Sequence, residues 1–403
     1  MTTGVPLKYL VTINAGVLPE TTDPLRTIRY VDIGTCGRGY LASDPEAMSF
    51  GTAPSRARRL VQAGDVIVST VRTYLRAVWP VVGESQDLIV STGFAVLSPR
   101  PELDPRFLGW LAQSDQVIEE IVARSVGVSY PGVNASDIGE IRVPVPPLLE
   151  QRAIADYLDA ETRRIDEVST CRAAMARLFE EWEQRQLVDL LGDWRVSRTH
   201  SLRQLGTALI TGPFGTQLSA SEYVDGGIPV INPTHISDGR IVPDPVVSVP
   251  RTVAERLDRH CLSPGDLVMG RKGDVGRAAV VGPTENGWLC GSDSIAVRTD
   301  KQKLLPEFLA LTLSAAFYRQ QLESRATGAT INNVNESILM AFRVPAMPLH
   351  QQRRVVERGV AIRTRRVEGV RLFDRQVALL LERRQALVTV AITGQLGIAG
   401  VAA

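Results

Sequence analysis

Two short runs place forked hydrogen-bond donors directly after β-branched stretches. "STVRTYLR" presents Arg72, Tyr74 and Arg76, and "GRKGDVGR" presents Arg271, Lys272 and Arg277. A guanidinium is a planar fork that can bond a base edge or a phosphate through two parallel contacts, so such loops suit nucleic acid. The alternative for both runs is a solvated turn. "SRARR" adds Arg56, Arg58 and Arg59, which could line phosphates or open a charged helix on a solvent face. "GVSYPG" (Ser129, Tyr130) and "ATINN" (Asn332, Asn333) occupy matching loops. Amides there could read adenine edges, as could Gln217 of "GPFGTQL" and Asn232 and His235 of "NPTH". Loop amides also serve simply to shape turns.

No other chemistry is legible. The four cysteines (Cys36, Cys171, Cys261, Cys290) form no C-x-x-C pair, and the four histidines add no ligand spacing beyond His260–Cys261. That leaves a metal site and a disulfide framework unsupported, and a reducing cytoplasm is the expected compartment. There is no G-x-x-x-x-G-K-[ST] loop for ATP, no G-x-S-x-G elbow and no H-E-x-x-H pair. "INPTHI" lacks the second proline and the aromatic of an Asn-Pro-Pro-aromatic methyltransferase motif. "RKGDVGRAAVVG" fits no dinucleotide fingerprint and reads as strand–turn–strand. Only Lys272 is placed to serve a nuclease. A non-catalytic chain is the expectation.

Composition is that of a folded protein, with 44% hydrophobic and 22% charged residues and a net charge of only +1. Four of the 45 basic residues are lysines, leaving 41 arginines. Coding bias accounts for most of that ratio, although an arginine-rich surface also suits bidentate recognition. "MTTGVPLKYL" lacks the pattern of an export signal, and polar residues interrupt the apolar tail, so no membrane span is expected.

The elements that must position these loops occur twice. "AGDVIVST" matches "PGDLVMGR" at an offset of 201 residues (265 − 64), and "DPRFLGWLAQS" matches "LPEFLALTLSA" at the same offset. "SVGVSYPGVNASDIGEIRVP" matches "ATGATINNVNESILMAFRVP", and the offset continues to Gln151-Arg152 against Gln352-Arg353. "IRYVDIG" resembles "IPVINPT" at an offset of 200 (228 − 28). A tandem duplication follows. Each copy opens with a mixed α/β globule: Gly-Asp turns precede strands such as "VIVST", and "DPRFLGWLAQSDQVIEEIVARS" carries helical spacing behind an Asp-Pro N-cap.

Each copy closes with a long helix introduced by prolines, "VPVPPLLEQRAIADYLD" and "VPAMPLHQQRRVVERGV". Pro147 suits the first turn and Glu150 the positive end of the helix dipole. Heptad stepping gives a seam of Ile154, Leu158, Ile165, Val168, Met175, Phe179 and Trp182. On the second helix it gives Val356, Val360, Val367, Val370, Val377, Leu381 and Leu387. A lone helix of about 40 residues with one apolar stripe is unstable in water, so each needs a partner. The expected fold is two similar α/β (α+β) domains joined by two long helices packed as an antiparallel coiled coil, a pseudo-two-fold tandem repeat. Each helix folding back on its own globule is the alternative. Boundaries read as 1–143 for the first domain, 144–192 for its helix, 193–344 for the second domain, 345–397 for its helix and 398–403 for a tail.

The paired "P-x-P-P-L-x-E-Q" and "P-x-x-P-L-x-Q-Q" transitions carry a family resemblance. So do "GDVIVSTVRTYLRAV", "VSTGFAVL", "TGPFGTQL" and the closing "VAITGQL". Together they span roughly Leu18 to Leu396, and in this order the chain resembles the specificity subunit of type I restriction–modification systems. It departs from that pattern at Gln351, where Glu is usual, and in a less acidic start to the second helix. The resemblance implies two target-recognition domains reading a bipartite site in double-stranded DNA. It also implies helices that space them and dock adenine methyltransferase subunits, two per chain. S-adenosylmethionine and ATP would then be bound by partners, the latter by an ATP-dependent restriction subunit, and none by this chain. A self-contained DNA methyltransferase and a duplicated coiled-coil adaptor that never binds DNA are the competing readings.

Overall fold

The computed structural model describes residues 4–272, 276–326 and 334–398. The chain divides into two compact units, residues 1–173 with 374–403, and residues 174–373. Each contains an α/β globule and a stretch of both long helices.

In the first unit, β-branched runs separated by Gly-Asp turns form two four-stranded sheets. One orders the strands Val11–Ile13, Phe94–Pro99, Val66–Ser69 and Val78–Pro80, all antiparallel. The other orders Glu46–Ser49, Thr27–Val31, Leu88–Ser91 and Ala57–Leu60, with a parallel pair at its centre. The expected single helix after Asp104 is two, Pro105–Gln113 and Asp115–Ala123, broken at the extended Ser114. Asp104 caps the first by accepting from the N–H groups of Arg106 and Phe107, as its Asp-Pro sequence predicts. Phe107, Leu108 and Leu111 are fully buried between helices and sheet, and Phe94 is fully buried in a separate cluster with Val31, Val90 and Val96.

The second unit repeats this plan. Ala208–Thr211, Ser294–Arg298, Leu267–Gly270 and Ala278–Val280 form one sheet. Ile228–Ile231 lies between Ser248–Val249 and the parallel strand Leu289–Cys290. Helices Pro306–Ser314 and Ala316–Ala326 follow. Each unit also closes its chain by an antiparallel pair just before the proline transition: Val5–Pro6 with Arg142–Val143, and Thr199–Ser201 with Arg343–Pro345.

The long helices run Leu148–Leu191 and Leu349–Ile392, 44 residues each. In the first unit Ile154, Ala155 and Leu158 share a core with Val388, Ala391 and Ile392, and Asp166 meets Arg384 at 3.5 Å. In the second unit the Phe179 and Phe373 rings are 5.8 Å apart, and Leu187 shares a core with Val355. Partner numbers fall on one helix as they rise on the other, so the packing is antiparallel, as expected.

The seam itself needs correction. Ile154, Leu158 and Ile165 are buried, and Met175, Phe179, Trp182, Val356, Val370, Val377 and Leu387 are half-buried. Val168, Val360, Val367 and Leu381 are instead exposed. On the second helix the buried face passes instead through Val355, Gly359, Phe373 and Val388, one residue before the expected position at the first two and one after it at the last. Glycine is the reason: a Cβ at Gly369 would stand 2.9 Å from the Phe179 ring, and one at Gly359 would strike Leu311. Heptad reading selects large apolar side chains and passes over such positions.

The proline transitions are locked by a residue pair whose part the sequence did not reveal. Gln151, 1% exposed, accepts from the Asp104 N–H (2.8 Å) and donates to the carbonyls of Glu102 (3.0 Å) and Pro146 (2.8 Å). Gln352, 2% exposed, accepts from the Leu305 N–H (2.9 Å) and donates to the carbonyls of Lys303 (2.9 Å) and Met347 (2.8 Å). Each glutamine stitches the loop before a globule's helices to the start of a long helix.

Candidate nucleic-acid interface

In the first unit, backbone bonds string four loops side by side at the ends of strands. The Thr92 N–H bonds the Arg56 carbonyl, the Thr70 N–H bonds that of Gly93, and the Val133 N–H bonds that of Thr70. Val71 bridges to Gly132. Arg56, Arg72 and the 126–132 loop thereby occupy one row. Arg72 and Arg76 both hold left-handed backbone (φ 50° and 53°), unusual for non-glycine residues and often found at working sites. Between them Thr73 is buried, and its hydroxyl shares a 2.7 Å hydrogen bond with that of Ser125. That bond ties the 70–76 loop to the 126–132 loop.

The Arg72 guanidinium lies over the Tyr130 ring, 4.8 Å from its centroid, and has no carboxylate partner among the described residues. Tyr130 is 67% exposed and Tyr74 55%. Ser129 is exposed beside Tyr130. A guanidinium stacked on a ring keeps its donor edge free for a base or phosphate. Arg76 lies 3.9 Å from Asp115. The "SRARR" arginines sit on and before the strand Ala57–Leu60, not on a helix. Arg56 is exposed and pairs with Asp32 at 2.8 Å, and Arg58 stacks over Phe50. Arg59 is half-buried, and burial lowers the pKa of its guanidinium.

The second unit builds the same row. The Val334 N–H bonds the Arg271 carbonyl, which is the Val133–Thr70 bond displaced by 201 residues (334 − 133 and 271 − 70). The Arg271 N–H bonds the Asp293 carbonyl, and Lys272 pairs with the Asp293 carboxylate at 2.6 Å. Arg271 stacks over Phe214, 4.9 Å from the ring centroid, and that ring is 49% exposed. Here the ring comes from a different loop, 212–217. Gly212 makes this possible, since a Cβ there would stand 1.9 Å from the Gly291 carbonyl oxygen. Gln217 accepts from the Phe214 N–H at 3.1 Å and so shapes that loop. Arg277 is exposed. Asn332 and Asn333 lie outside the described residues.

Two candidates belong to the scaffold. His235 is 7% exposed, and its Nδ1 lies 3.1 Å from the Val230 carbonyl oxygen and 3.2 Å from the Asn232 nitrogen. It is buried and pins a turn, where an exposed reader was expected. Asn232, half-buried, places Oδ1 where a Cβ on Gly291 would stand, so its amide fills space between loops. Among the described residues no group of three or more His, Cys, Asp or Glu could hold a metal, and no helix is long and apolar enough to cross a membrane. Burial pushes the thiols of Cys36 and Cys290 up to about 12, so neither is a ready nucleophile.

Comparison with known proteins points to type I restriction–modification specificity subunits. Residues 59–170, which include the 70–76 and 126–132 loops, match the Type I restriction modification DNA specificity domain. The segment is similar to a type I specificity domain. The StySPI specificity subunit of Salmonella potsdam is 27% identical over 47% of this chain, and the EcoKI specificity subunit of Escherichia coli K12 is 26% identical over the same share. Each match spans 41% of that relative's length. Over 97% of both chains, a protein solved in work on assembly and conformational transition of the type I R-M system is 26% identical, with TM-score 0.76. The HsdS subunit from Thermoanaerobacter tengcongensis is also 26% identical, with TM-score 0.52, covering 97% of this chain and 96% of its own. The resemblance of this chain to specificity subunits extends over almost its whole length in fold and over part of it in sequence.

Proposed function

We propose that this chain is the sequence-reading, non-catalytic subunit of a type I restriction–modification complex. Each unit reads one half of a bipartite site in double-stranded DNA. The observation that carries this reading is the loop row built twice on equivalent backbone bonds, each with an arginine laid over an exposed aromatic ring. Two short half-sites read together add discrimination that neither supplies alone, at about 1–3 kcal/mol per base pair. Arg56, Arg72, Tyr74, Tyr130, Arg271 and Lys272 are the proposed contact residues. The exposed Val168, Val360, Val367 and Leu381, with Leu178, Leu372 and Leu379, offer apolar surface on the long helices for methyltransferase subunits. Those partners would bring S-adenosylmethionine, and an ATP-dependent restriction subunit would complete a cytoplasmic defence complex.

The test is DNA binding by the chain co-purified with its methyltransferase partner, titrated with salt. Phosphate contacts by several arginines predict an affinity that falls steeply as salt rises and a preference for the methylated sequence. Binding that is absent, or indifferent to salt, would leave the adaptor reading standing.

A further inference from the structure

The 126–132 loop carries side chains that neither the core nor the loop's own geometry explains. Val126 and Val128 are 82% and 101% exposed. The loop is closed by two backbone bonds between Val126 and Gly132, and Gly127 (φ 116°) turns the chain so that Val128 stands at the tip. Alongside lies the Arg72–Tyr130 stack. Neither residues 69–77 nor residues 124–133 contain a carboxylate, so an apolar tip sits within a cationic rim. That combination suits an anionic polymer carrying small apolar groups.

Resting on the DNA reading above, we propose that the first unit reads thymine C5 methyl groups in the major groove through Val126 and Val128. Duplex DNA offers apolar surface in two places. Stacked base faces open only when a step is unstacked, which proteins do with long or flat wedges such as Phe, Leu, Ile or Met. The thymine methyl projects into the major groove and needs no distortion. Valine's methyls sit one bond beyond Cβ, too short to enter a stack but well shaped to cover a methyl. The arginine fork beside them supplies polar contact to a neighbouring base or phosphate and sets the register of the loop.

The experiment uses the complex with its methyltransferase partner and duplexes containing its methylated sequence. Thymines in the first unit's half-site are replaced by deoxyuridine, which removes only the methyl group. The wild-type complex should bind about four-fold more weakly for each contacted methyl lost, the effect of uncovering one methyl-sized group. The Val126→Ser/Val128→Ser variant should bind the thymine duplex as weakly as the wild type binds the deoxyuridine duplex, with no discrimination left. The same replacement in the other half-site should be blind to the valines. The proposal is overturned if the wild type binds both duplexes equally, or if the variant still discriminates. It is also overturned if the variant, folded as the wild type is by circular dichroism, cannot assemble with the methyltransferase, which would make the tip a protein-docking face. The wild-type comparison stands whether or not the variant folds. Loss of all sequence preference by the wild type would remove the DNA reading itself.

Discussion

Gln151 and Gln352, 201 residues apart (352 − 151), make the same three hydrogen bonds at the same joint of the two repeats. Each satisfies one N–H and two carbonyls where a globule meets its long helix. A buried backbone group left unpaired costs about 1–3 kcal/mol, and water can reach only part of the space left behind. Gln151→Ala or Gln352→Ala should therefore destabilise the chain by about 2–4 kcal/mol in urea unfolding. Glu at either position should be worse at neutral pH, because a carboxylate offers no donor to the two carbonyls. A loss within ~0.5 kcal/mol, the usual size of a surface change, would show the joint to be held elsewhere.

The two units hold their helix pairs with unequal ion pairs. In the second, Arg366 Nε lies 2.7 Å from Glu183 Oε2, with side chains 13% and 9% exposed, and Arg366 also donates to Asp238 at 2.5 Å. In the first, Asp166 is 57% exposed opposite Arg384. Asp238 still pairs with Arg366 once Glu183 is gone, so Glu183→Ala removes one buried charge-assisted bond and should cost about 1.5–3 kcal/mol. Asp166→Ala should cost less than ~1 kcal/mol. Equal losses in thermal unfolding would mean that burial does not set the difference.

His260 adds a pH dependence to the second unit. Its Nδ1 lies 2.7 Å from the Thr211 carbonyl oxygen, and its Nε2 accepts from Arg259 at 2.9 Å, a pattern that the neutral ring satisfies. Burial, with the Arg259 charge, holds its pKa below the usual histidine value. The unfolded chain then binds the proton more readily. Stability from the neutral ring is fully present above roughly pH 6.5 and is lost as pH falls through the folded value. The urea midpoint of the wild type should drop between pH 7.5 and 5 by more than that of His260→Gln. Parallel curves would remove this role.

Much of this was legible in the sequence because duplication repeats whatever a joint requires. The 201-residue offset located both proline transitions and both strand-end loops, and the apolar stripe on each long helix called for the antiparallel partnership. The seam register was not legible. Gly359 and Gly369 let neighbouring side chains approach, and a glycine has no side chain for an apolar pattern to register. His235 looked like a reader because a loop histidine shows its type and not its burial. Arg72 was found from its place after a strand, whereas its stack on Tyr130 depends on backbone links 61 (132 − 71) and 63 (133 − 70) residues apart that no local pattern encodes. Phe214 was missed as a partner of Arg271 because the second unit takes its ring from another loop.

The central claim is that two units read two pieces of DNA independently. Mapping methylated adenines in cells expressing this chain with its methyltransferase partner tests it most directly, for the wild type and for Arg72→Ala and Arg271→Ala. The wild type should methylate a bipartite sequence with an unspecified spacer. Arg72→Ala should relax positions in one half only and Arg271→Ala positions in the other, each losing about 1–3 kcal/mol of discrimination at a contacted base. A contiguous target, or one substitution that relaxes both halves together, would contradict the account.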